Sequence, residues 1–122
     1  MRRPFVLISA ALLAAGSLVS LVAEEDAMET FMKKFHKAPE GTDPICKKAA
    51  NGTATAEELA GLLAGYEAMA AVPPPAGELA SWKEKTAAVI SAVKDLQAHK
   101  ENAGAVFKEA VNCKACHSLH RP

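Results

Sequence analysis

Apolar positions recur three and four residues apart in four stretches of this 122-residue chain. In the first, Met28, Phe31, Met32 and Phe35 line one face of a helix predicted over residues 24–37. Glu24, Glu25 and Asp26 open that helix and Lys33, Lys34 and Lys37 close it, the charge order a helix dipole favours. Pro39 and Gly41 stop it. A short helical turn is predicted over 44–50, broken at Asn51 and Gly52. The second long helix starts at Thr55, which with Glu58 spells a capping box. Its stripe is Leu59, Leu62, Leu63, Tyr66 and Met69, and Pro73-Pro74-Pro75 ends it. The third covers about 78–99, with Leu79, Trp82, Thr86, Val89, Val93 and Leu96 on its seam. Asn102 and Gly104 mark the next break. A fourth helix then carries Val106, Phe107, Ala110, Cys113 and His117 on roughly one side. No stretch alternates as a strand would. The expectation is an all-α fold, an antiparallel up-down-up-down four-helix bundle. In that topology the end of the fourth helix lies beside the start of the first.

Composition agrees: alanine is abundant and aromatics are few, which favours helix over strand. The N-terminus changes the picture. Arg2, Arg3 and Pro4 precede an apolar run from Phe5 to Ala23, and Glu24-Glu25-Asp26 follows. Residues 1–23 read as a signal peptide, with an uncleaved N-terminal membrane anchor as the alternative because the run is long enough to span a bilayer. Both place a domain of residues 24–122 outside the cytoplasm, in the periplasm of a bacterium. An uncleaved segment would make it membrane-tethered. Without residues 1–23 the chain keeps twelve Lys and Arg against fourteen Asp and Glu. No basic stripe interleaved with aromatics points to nucleic acid.

The chemistry concentrates in Cys113-Lys114-Ala115-Cys116-His117. Cys-x-x-Cys-His is the attachment pattern of a c-type haem. Two thiols three residues apart can add across the two vinyl groups of one porphyrin edge. The imidazole of His117 can then turn under the ring to the iron. A thioredoxin-like Cys-x-x-Cys pair would want a βαβ setting, which the periodicity does not offer. A zinc site of Cys113, Cys116, His117 and His120 would crowd all four ligands into two helical turns, whereas zinc sites commonly join two separated pairs. Cys46 is left over and reads as a buried small apolar residue. No other cluster suggests catalysis, so no enzyme activity is expected.

Export, four helices, the motif near the C-terminus and a basic residue, Arg121, one turn after His117 together resemble the class II cytochromes c, the group of cytochrome c′ and its six-coordinate relatives. The chain departs from that group in its short first helix, its Pro73-Pro74-Pro75 turn and the lack of an arginine in the first helix. The resemblance implies one covalent haem c on Cys113 and Cys116, His117 as the fifth iron ligand, and Arg121 beside the cofactor. It implies single-electron transfer between redox partner proteins, and a homodimer is compatible with such bundles.

The sixth iron position decides between functions. A thioether or imidazole there favours electron transfer. An open position would make a five-coordinate haem protein that binds or senses NO or CO. Few residues follow the motif, so a protein ligand is expected upstream. Met28, Met32 and His36 stand four residues apart on one face of the first helix. Met32 is the first candidate because it is central on that face. Met28 follows, and His36 comes last because its lysine neighbours suggest exposure. His120, three residues after His117, lies on the same side of the ring and cannot be the trans ligand. Trp82 and Tyr66 are expected in the core, His99 as a solvated cation at a helix end, and Lys33, Lys34, Lys37 and Lys114 on a solvated face that could meet a redox partner.

Overall fold

A computed structural model describes residues 27–122, and those residues form helices and no strand. The signal peptide or anchor expected over 1–23, and the acidic opening of the first helix, lie outside the described residues. The helices are α1 over 27–35, α2 Ile45–Ala50, α3 Ala56–Ala70, α4 Leu79–Gln97, α5 Ala103–Ala110 and α6 Cys113–His120. α3 packs along α4, α4 along α5, and α2 bridges α5 and α3.

The start of α3 follows from two residues. Thr55 Oγ1 accepts from the Glu58 amide at 3.1 Å, and the Thr55 amide donates to Glu58 Oε1 at 3.0 Å. Two otherwise orphaned helix donors are thereby satisfied. Lys48 Nζ meets Glu58 Oε2 at 3.3 Å and ties α2 to the same corner. The far end of α3 is closed from outside by Trp82. Its indole Nε1–H donates to the carbonyls of Met69 at 3.2 Å and Val72 at 3.0 Å. The ring itself is wholly buried, so one side chain fills the core and ends a helix. α4 buries Trp82, Thr86, Val89, Val93 and Leu96 as its periodicity expects, while Leu79 is half exposed. The Thr86 hydroxyl is satisfied inside the core by the Trp82 carbonyl at 2.8 Å.

α1 joins α3 through an unusually close seam. Phe31 and Phe35, four apart, lie against Gly65 and Gly61, also four apart. A Cβ on Gly61 would stand 2.6 Å from Phe35 Cζ, and one on Gly65 would overlap the Phe31 ring. Each glycine costs an exposed helix about 1 kcal/mol relative to alanine. Burying a phenylalanine is worth about 1.5–3 kcal/mol, so the seam is favourable on balance. Phe31 then meets Phe35 at 5.0 Å and Tyr66 edge-on at 5.2 Å between ring centroids.

The fourth predicted helix is two helices. α5 ends at Ala110, and Asn112 leaves helical geometry to cap α6, its Oδ1 accepting from the Ala115 amide at 3.1 Å. An asparagine side chain competes with the helix backbone for such donors, which explains the break. The Cys-x-x-Cys-His run therefore opens a helix of its own instead of closing a longer one. Phe107 is fully buried on α5, but Val106, expected on the same side, is half exposed. α4 stops at Gln97, and His99 sits beyond it with φ 53 instead of inside its last turn.

The Phe31–Gly65 contact is tested by comparing one side chain at two sites. Gly65→Val should lower stability in urea unfolding by about 1–3 kcal/mol through overpacking. Ala64→Val, on the exposed face, should cost less than about 1 kcal/mol, the propensity difference alone. Equal losses at both sites would contradict the seam.

Candidate functional site

α6 sets Cys113 at its first turn, exposed, and Cys116 half-buried one turn on; both thiols are free. His117 is exposed. Burial pushes the Cys116 thiol up, opposite to the shift that activates a thiol for disulfide exchange.

Two cavities meet at this helix. The first, about 300 Å³, is walled by Cys113, Cys116 and His117 together with Met32, His36, Tyr66, Met69 and Val89. The second, about 420 Å³, carries Met28, Trp82, His120 and Arg121, with Lys33 and Lys37 on its wall. Met32, Met69, Cys116 and His117 line both. Sharing these four residues, the two cavities adjoin at α6 and are treated as the two lobes of a slot. The lobes differ in charge. Glu84, Lys85 and Glu109 line the first, whereas Glu29, Lys33, Lys37 and Arg121 line the second. Glu29 is matched by Lys33 at 2.8 Å, so the second lobe is cationic on balance.

The first helix and the residue after it bring all three candidates, Met28, Met32 and His36, to this slot. Met32 lines both lobes, Met28 only the second and His36 only the first. His36 is not a solvated neighbour of the lysines. Its Nε2 lies 2.9 Å from the Tyr66 hydroxyl, and its ring packs edge-on against Phe31 at 5.5 Å. Burial, reinforced by the charge of His117, pulls its pKa down to about 4, so the imidazole is neutral at pH 7. Burial likewise pushes the Tyr66 phenol up. Tyr66 and Trp82 are core residues, as expected. Cys46 is half-buried beside the core, and burial raises its thiol pKa, with Cys113 adding to the shift.

His120 is anchored instead of available. It is buried, with Nδ1 2.9 Å from the Ala76 carbonyl and Nε2 3.0 Å from Ser81 Oγ. The carbonyl can only accept, so Nδ1 carries the proton and Nε2 accepts from the serine. Neither nitrogen is left for a metal, which argues against the four-ligand zinc site. The contact needs a close approach at Gly77, whose φ is +79 and whose Cβ would press on the Leu119 carbonyl and His120 Nδ1. Through it the end of α6 is fastened to the loop between α3 and α4.

Met69 is the lining residue the sequence pattern missed. It belongs to the α3 stripe and is buried, which reads as ordinary core. Only the folded chain shows that it faces the slot from α3 as Met32 does from α1. Its backbone is held there by the Trp82 indole.

The donor set fits a thioether-bound porphyrin: two free thiols and an imidazole on one short helix, an apolar slot beside them, and a cationic lobe suited to propionates. Among the described residues no group of three or more His, Cys, Asp and Glu side chains is gathered at metal-binding distance, and no helix is long and apolar enough to cross a membrane.

The His36 environment makes stability depend on pH. The unfolded chain binds a proton at the ordinary histidine value near 6.5, the folded chain only near 4. The stability this group contributes is therefore complete above about 6.5 and declines as pH falls toward 4, by about 3 kcal/mol in total. His36→Gln should flatten this part of the urea-unfolding profile of the polypeptide. An unchanged slope between pH 6.5 and 4 would show that His36 is not buried neutral. No family model, curated protein or solved structure matches the chain.

Proposed function

We propose that this chain is an exported monohaem c-type cytochrome that passes single electrons between redox partner proteins in the periplasm. The observation that carries the reading is the opening of Cys113, Cys116 and His117 onto one slot that α1 closes from the other side. Each thiol would add across one vinyl group, the S–H hydrogen passing to the other vinyl carbon and a C–S bond forming, with no net oxidation. His117 would give one iron ligand, and Met32 or His36, which line the same cavity, would be the candidates for a second. Haem supplies the one-electron couple between Fe(III) and Fe(II). The protein's part is to hold the ring, keep water from it through Val89, Tyr66 and Met69, and balance its carboxylates. Lys37 and Arg121 on the cationic lobe are the residues suited to the propionates, so the vinyl edge would lie on the Cys113 side. The arrangement of helices is read as a four-helix bundle in which α5 and α6 together make the fourth member, with the haem at one end.

A dithiol redox module is disfavoured by the all-helical setting and by the raised Cys116 thiol. The test is a pyridine haemochrome assay on protein exported in a host that matures c-type cytochromes. One haem per chain is expected, falling to none covalently held in the Cys113→Ala, Cys116→Ala double variant. Purified wild type without haem would refute the reading. A high-spin reduced spectrum that shifts on adding CO would assign the chain to gas binding instead of electron transfer.

A further inference from the structure

We propose that His36, positioned by Tyr66, supplies the sixth ligand, giving the iron two histidines. The inference rests on the haem reading above and completes its coordination. Sequence spacing ranks Met32 first on this face and His36 last; the contacts that hold the His36 ring argue for the opposite order. His36 shares the lobe of Cys113, Cys116 and His117. Its amide still bonds the Met32 carbonyl at 2.9 Å, so it extends the α1 face by one more residue toward that lobe. The ring is fixed on two sides, edge-on to Phe31 and bonded through Nε2 to Tyr66.

A histidine ligand uses one ring nitrogen for the metal and the other for a partner that orients the ring. Here Tyr66 takes Nε2. No buried side-chain nitrogen or oxygen lacks a partner among the described residues, so Nδ1, which makes no hydrogen bond there, is not sealed inside the core, and the residue itself lines the lobe of Cys113, Cys116 and His117. Met32 and Met69 line the same slot, but as flexible thioethers with nothing polar to orient them. Tyr66 is otherwise a costly residue for this position: a phenol in the core whose hydroxyl, among the described residues, bonds only the His36 ring. A positioning role explains why that hydroxyl is there.

The test is absorption and electron paramagnetic resonance spectroscopy of the haem-loaded wild type and four variants. Wild type should be low-spin in both oxidation states, without the near-infrared band of methionine-ligated ferric haem. His36→Ala should become high-spin, and added imidazole should restore the low-spin spectrum. Tyr66→Phe should stay low-spin but bind cyanide about 10–100-fold more tightly, because a less well oriented ligand is displaced more easily. A methionine band or a high-spin spectrum in wild type overturns the proposal without any variant. So does a low-spin His36→Ala protein, and loss of the low-spin form in Met32→Ala or Met69→Ala would then name the true ligand. Wild type with no haem at all fails differently, because it refutes the cytochrome reading itself.

Discussion

The seating of two phenylalanines on two glycines governs this molecule. Phe31 and Phe35 can approach α3 only because Gly61 and Gly65 carry no Cβ. That approach brings the whole α1 face against α3, and three pairings follow from it. Phe31 meets Tyr66, His36 reaches the Tyr66 hydroxyl, and Met32 comes to the same slot as Met69. A wider spacing would leave His36 beside its lysine neighbours in water. The chemistry of the slot is thus set by small residues that take no part in it.

A second constraint acts from the opposite side. α6 is only eight residues long and would be marginal alone. Asn112 caps its start, and His120 fastens its end to the Ala76 carbonyl and Ser81. Trp82 lies under that anchor, 5.3 Å from the His120 ring, while its indole closes α3. The motif is therefore held at both ends and left open in its middle, where Cys116 and His117 line the slot. Cys113 and His117 themselves are exposed on α6.

Local signals were legible in the sequence, and so were faces. Thr55 and Glu58 announce the start of α3, and the stripe from Trp82 to Leu96 identifies the buried side of α4. The split of the last helix was not, because Asn112 sits inside a run with helical periodicity and its capping partner, the Ala115 amide, is backbone. His36 was misjudged for a similar reason. Its neighbours Lys34 and Lys37 are exposed, and nothing in the local pattern shows that Tyr66, thirty residues away, needs a partner. Met69 reads as core and is core, and its place on the slot depends on how α1 meets α3. For His36 and Met69, what the pattern could not supply was a contact between elements distant in the chain.

The central claim is that Cys113 and Cys116 hold a haem. The most direct measurement is the intact mass of the exported protein, taken before and after treatment with a thiol-alkylating reagent under denaturing conditions. The expected result is a chain heavier by one haem in which only Cys46 is alkylated. A chain of bare polypeptide mass in which all three cysteines react would contradict it.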